Sequence, residues 1–138
     1  MAQVVNVKVN YIREQGYNNL KEWMDDPQNV YIGRGGVVFI DNKRYPETNS
    51  LWANPFKISK IAKLSVLGEQ IDRDNVLAKY RDYILQKIEK DGLTDKLLEL
   101  DGKNLGCWCH TNSTHNIGKP YCHGDILVEL ITLFKNKN

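Results

Sequence analysis

The sequence predicts an α/β fold, a small single-domain mixed sheet covered by helices. Three observations lead there. Strand-like segments at residues 3–11, 29–40 and 104–109 are interleaved with helical stripes, the pattern of a sheet whose faces are covered by helices. The 138 residues, 41% apolar and 26% charged, suit one globular domain, residues 1–138, with enough chain to bury a core. Two unusual stretches, Gly33-Arg34-Gly35-Gly36 and Cys107-Trp108-Cys109, stand at predicted strand ends, and open sheets of this kind bind ligands outside the carboxyl ends of their strands.

Residues 3–11 alternate Val5, Val7, Val9 and Tyr11 with Asn6, Lys8 and Asn10, the period of a half-buried strand. Residues 17–24 suit a short helix with Leu20, Trp23 and Met24 on one side. Asp25-Asp26-Pro27 stops it, because proline has no N–H to donate. Residues 29–32 form a second strand that runs into the glycine-rich turn. Glycine lets a backbone turn tightly or approach a ligand, and Arg34 among the glycines either reaches an anion or sits in solvent. Residues 37–40 are strand and residues 41–44 a turn.

Residues 46–56 are turn-rich yet hold Leu51, Trp52 and Phe56, so this loop folds over something. Asn54 precedes Pro55 and is biased to extended backbone, where its amide is able to address a polar ligand. Residues 58–67 read as a short helix or loop. Residues 72–90 are the clearest helix, with Leu77, Tyr80, Ile84 and Ile88 on one stripe, Asp72 or Asp74 as the cap and Asp91-Gly92 as the end. Residues 93–100 make a second helix capped by Thr94. A buried strand follows at residues 104–109, then a last helix at residues 125–134 with Ile126, Leu127, Leu130, Ile131 and Phe134 inward. The layout is Rossmann-like in general terms.

Lys and Arg number 19 against 17 Asp and Glu, a formal charge of +2. A domain built chiefly around a phosphate backbone carries a denser basic face, so nucleic acid is not demanded as a partner. A stripe across Lys57, Lys60, Lys63 and Arg73 would favour it. Three cysteines are an odd number and no secretory signal opens the chain; both features predict a cytoplasmic protein without a disulfide framework. No apolar run approaches the length of a membrane span, so no membrane partner is expected.

All three cysteines and all three histidines lie within residues 102–125. One reading is zinc, held by Cys107, Cys109, Cys122 and a histidine, of which His110 or His115 is better placed than His123. Against it, Cys107 and Cys109 have only Trp108 between them, tighter than the usual ligand pair. A second reading is a reactive thiol, since Cys122 precedes a predicted helix start and His123 stands beside it. A third is an anion pocket. There His123, Gly124 and Asp125 at the start of a helix present backbone N–H groups to a phosphate, Arg34 supplies the cation, and the cysteines are buried packing residues. Asp125 would equally serve as a plain helix cap.

Taken together, Gly33-Arg34, then Ser50-Leu51-Trp52-Ala53-Asn54-Pro55-Phe56, then Tyr80-Arg81-Asp82-Tyr83-Ile84, then Leu100 through Cys109, and finally Cys122-His123-Gly124-Asp125-Ile126-Leu127 form an ordered series. The series resembles an uncharacterised family of phage and bacterial proteins, the domain of unknown function 4326. The resemblance implies a phage or bacterial source and a compact α/β domain. It also implies that Arg34, Asn54, Cys107, Cys109, Cys122, His123 and Asp125 match the family's motif positions. It carries no activity. In that family the two cysteine motifs stand close together, whereas here residues 110–121 separate them, so His110 and His115 are not carried over.

The expected function is binding of a nucleotide or another phosphorylated small molecule, with or without turnover. Arg34 and the helix start, including Gly124, would hold the phosphate. Asn54, Cys107 and Cys109 would line the site, and Trp52 or Trp108 would stack on a base. Cys122, His123 and Asp125 are the candidate nucleophile, base and acid. The alternatives are a zinc-stabilised module for nucleic acid or protein and a non-catalytic protein that sequesters a host signal nucleotide.

Overall fold

The computed structural model describes residues 2–57, 59–108 and 122–137. Three parallel strands form the central sheet: β1 (Gln3–Asn6), β2 (Asn29–Tyr31) and β5 (Asn104–Cys107), in the order β1-β5-β2. A separate antiparallel hairpin joins β3 (Val38–Ile40) to β4 (Lys43–Tyr45). The helices are α1 (Val9–Glu14), α2 (Leu20–Asp25), α3 (Val66–Asp91), α4 (Thr94–Leu98) and α5 (His123–Lys137). The fold is thus α/β as expected, with its strands divided between two small sheets.

Strand alternation separates two cores. Val4, Ile32, Leu105 and Cys107 face Tyr80, Ile84, Ile88, Leu97 and the inner side of α5. Val7 and Tyr31 face the opposite way, against Ile12, Leu20 and Trp23 of α1 and α2. Each sheet face is therefore covered, which is what an all-parallel sheet needs. At the amino ends of the strands the amide side chains form a ladder: Gln3 donates to Asn104 at 2.8 Å, and Asn104 donates to Asn29 at 2.9 Å. Asn29 in turn donates to the Trp23 carbonyl at 2.9 Å. That end is closed by polar cross-links, and the carboxyl end is left to carry a site.

Several boundaries depart from the sequence reading. The strand expected over residues 3–11 stops at Asn6, because β1 pairs only with the four residues of β5. The Asn6 side chain then accepts the Lys8 N–H at 2.8 Å, and the chain turns into α1. The turn expected over residues 41–44 is tighter: Asp41 and Asn42 hold φ of 53° and 65°, and Lys43 already belongs to β4. The long helix begins at Val66, capped by Ser65, whose hydroxyl accepts the Gly68 N–H at 2.9 Å, and not by Asp72 or Asp74. Thr94 lies inside α4 and does not cap it. The last helix begins at His123, two residues before the expected start. The strand predicted over residues 104–109 ends at Cys107, and Cys109 lies outside the described residues.

The irregular loop at residues 46–56 packs over α3. Tyr80 is fully buried and donates to the Trp52 carbonyl at 2.7 Å; burial pushes its phenol far above the ordinary pKa, so it stays a donor. Lys87 reaches the Leu51 carbonyl at 3.3 Å, and Phe56 stands edge-on to Tyr83. Among the described residues no helix is long and apolar enough to cross a membrane.

Candidate functional site

Beyond the carboxyl ends of the three parallel strands lies an open cleft of about 780 Å³. Lys8 follows β1, Arg34 follows β2 and Trp108 follows β5, and each lines it. Cys122 and His123 enter from the first turn of α5. The far wall is Asn54, Phe56 and Lys57 from the irregular loop, then Lys60, Lys63, Glu69 and Arg73 leading into α3.

Charge is the dominant property of this cleft. Lys8, Arg34, Lys57, Lys60, Lys63 and Arg73 line it together with one carboxylate, Glu69, whose Oε1 lies 3.1 Å from Arg73. The ammonium groups of Lys8, Lys57, Lys60 and Lys63 make no ion pair among the described residues. Gathered lysines that make no ion pair among the described residues focus a positive potential into the concavity.

Arg34 lines the cleft and also holds its far wall. Its Nε and Nη2 donate to the Asn54 carbonyl at 3.0 and 2.7 Å, and Nη2 also reaches the Phe56 carbonyl at 3.2 Å. The planar fork is a clamp on the loop that forms the far wall. Asn54 lines the cleft, and its Oδ1 accepts the Phe56 N–H at 2.9 Å and shapes the turn before Lys57. Arg34→Ala is expected to lower stability by about 2–3 kcal/mol, the upper part of the scale for hydrogen bonds made by a charged group, here to part-buried carbonyls. Arg34→Lys should recover less than half of it, since one ammonium cannot copy the fork. Urea unfolding checks both.

The two tryptophans expected to stack on a base, Trp52 and Trp108, part company. Trp52 is 4% exposed and belongs to the core, so it does not face the cleft. Trp108 is half-buried and lines it. Its Nε1 donates to the Tyr31 hydroxyl at 2.9 Å, which donates to the Arg34 carbonyl at 2.6 Å. Burial holds the Tyr31 phenol above its ordinary pKa, which preserves that donor. The indole and the arginine clamp are thereby tied to one another through β2.

Each residue of the Cys122-His123-Gly124-Asp125 turn has a structural partner. Cys122 caps α5 with its sulfur, which accepts the Gly124 N–H at 3.3 Å. Asp125 reaches back to the Cys122 N–H at 3.2 Å, completing a reciprocal cap. The Asp125 N–H donates to the Cys122 carbonyl at 3.0 Å. His123 is 7% exposed, and its Nε2 lies 2.7 Å from the Ile32 carbonyl, so that nitrogen carries the proton. A Cβ on Gly124 would stand 2.9 Å from Val4 Cγ1 and 3.0 Å from Ile32 Cδ1, so glycine lets α5 sit against the sheet. The N–H groups of Gly124 and Asp125, expected to face a phosphate, are taken up inside this turn, and the cation of the cleft is supplied mainly by lysines.

Cys107 comes from the end of β5 and meets Cys122, with the two sulfurs 3.4 Å apart. Cys109 and His110, the other members of the zinc set, lie outside the described residues. Among the described residues no three Cys, His, Asp or Glu side chains gather as a metal site. Sequence reasoning missed Lys8 and Phe56 as lining residues. Lys57, Lys60 and Lys63 were visible as a basic run at intervals of three, but as a nucleic-acid stripe and not as the wall of the same cleft as Arg34 and Cys122.

Comparison with known proteins agrees with the motif resemblance. The family described as Domain of unknown function (DUF4326) matches residues 17–133. An uncharacterized protein of Acanthamoeba polyphaga mimivirus is 32% identical over 110 residues, which are 77% of this chain and 68% of the mimivirus protein. No solved structure matches.

Proposed function

This chain belongs to the family described as domain of unknown function 4326, and we propose that it binds a nucleotide or another phosphorylated small molecule in the cationic cleft. The observation that carries this reading is the convergence of Lys8, Lys57, Lys60, Lys63 and Arg73 on the carboxyl ends of a parallel sheet. A volume of about 780 Å³ falls in the range of small-ligand sites. The positive end of the 15-residue helix α5 adds to the field. Trp108 and Phe56 supply flat apolar surface for a base beside the phosphates.

Binding without turnover fits better than catalysis. The Nε2 of His123 is committed to a backbone carbonyl, and Asp125 is committed to capping α5. Calorimetric titration with inorganic tripolyphosphate and with nucleoside mono-, di- and triphosphates tests the reading. Affinity should rise with phosphate number, fall with added salt, and drop roughly tenfold in Lys60→Ala/Lys63→Ala, the effect of removing about 1.4 kcal/mol of charge interaction. Equal binding by that double variant, or no binding of any of these compounds, would sink it. Chromatography of the recovered nucleotide separates binding from turnover.

A further inference from the structure

We propose that Cys107 and Cys122 are a reactive dithiol, a modification site that closes to an intramolecular disulfide by exchange with a small-molecule disulfide. The pair is made by the tertiary fold: one sulfur ends the central strand β5, the other caps α5, and they lie in contact at 3.4 Å. Both residues are buried, at 1% and 3% exposure, so the second sulfur is already in place when the first reacts.

The surroundings assign the two roles. Cys122 lines the cleft and Cys107 is not among the residues lining it. An incoming disulfide therefore meets Cys122 first. The Gly124 N–H points at the Cys122 sulfur at 3.3 Å, and a donor there stabilises this sulfur as the attacking thiolate.

In the first step the Cys122 thiolate attacks one sulfur of the small disulfide RSSR. The Cys122–S–S–R bond forms, the R–S–S–R bond breaks, and one RS⁻ leaves. In the second step the Cys107 thiolate attacks the Cys122 sulfur, the Cys107–Cys122 bond forms and the second RS⁻ leaves. The two protein thiol protons end on the two released thiols. The protein dithiol is oxidised by two electrons and RSSR is reduced to two RSH. The product joins the end of β5 covalently to the start of α5, at the edge of the cleft.

The experiment uses the full chain, reduced and then exposed to glutathione disulfide, followed by intact mass and peptide mapping. The expected result is a loss of two hydrogens with no glutathione retained, and a cross-linked peptide pair joining Cys107 to Cys122. Cys109→Ser should behave as wild type. Cys107→Ser should stop at the first step and hold one glutathionyl group on Cys122, while Cys122→Ser should form no cross-link at Cys107. Mapping the unmodified chain does not depend on any variant folding. A disulfide that instead uses Cys109, a chain that stays fully reduced, or stoichiometric zinc released from these thiols by acid would each overturn the proposal.

Discussion

Lys57→Glu/Lys60→Glu/Lys63→Glu is expected to abolish tripolyphosphate binding, by a hundredfold or more, while the protein stays folded. The three side chains are exposed and make no ion pair among the described residues, so reversal removes no folded-state partner. Surface changes of that kind usually shift stability by within about 0.5 kcal/mol. The effect on an anion is far larger, because three attractions become three repulsions. Even at about 1 kcal/mol per exchanged charge in a wet cleft, the sum exceeds the roughly 2.7 kcal/mol that corresponds to a hundredfold change. Reversal also places three carboxylates beside Arg73 and Lys8, which draws the remaining cations away from ligand. Titration calorimetry at two salt concentrations, with thermal melting as the folding control, is the check. Affinity reduced by less than about tenfold would mean that the lysines are a solvated face and that the anion, if bound, sits elsewhere.

The parts of the fold that were legible in the sequence are those where side-chain period and burial coincide. The stripe of Leu77, Tyr80, Ile84 and Ile88 marked α3 because all four face the core. The first turns of α3 were invisible because Val66, Leu67 and Ile71 point into solvent, at 90%, 71% and 53% exposure, so the apolar period there describes no buried face. The end of β1 was misjudged because Val7 and Val9 continue the alternation after the partner strand has run out. For the site, its place was readable and its roles less so. Strand ends and special residue types drew attention to Arg34, Asn54 and Cys122, and the first and last of these line one cleft together with Asn54. A capping role for Asp125 was open in the sequence, but that Arg34 clamps backbone carbonyls and that the Cys122 sulfur caps α5 depends on main-chain groups that leave no mark in a side-chain pattern. Trp52 stands in the turn-rich loop and Trp108 directly after β5. Only the packing of the irregular loop onto Tyr80 sends one to the core and leaves the other at the cleft.

Gly106→Ala is expected to cost roughly 2–4 kcal/mol, at the upper end of what overpacking a core usually costs. Gly106 sits in the central strand, facing α2. A Cβ there would collide with Trp23 Cη2, and would lie 2.6 Å from Val7 Cγ1 and 2.7 Å from Trp23 Cζ3. Trp23 is fully buried and its backbone carbonyl is held by Asn29, so the indole has nowhere to retreat. Gly92→Ala is the contrast: nothing stands within 4 Å of the new methyl, and only its left-handed backbone, φ of 63°, opposes it, a cost of about 1 kcal/mol. If sterics at Trp23 are the cause, combining Gly106→Ala with Trp23→Leu should cost at least about 1 kcal/mol less than the sum of the two single changes, the signature of residues in direct contact. Strict additivity in urea unfolding would refute the collision. The consequence reaches the cleft, because β5 carries Cys107 and Trp108 at its carboxyl end. Displacing this strand from α2 would move the Trp108 indole away from the Tyr31 hydroxyl and the Cys107 sulfur away from Cys122, so anion affinity and disulfide closure should both fall in Gly106→Ala and both be retained in Gly92→Ala.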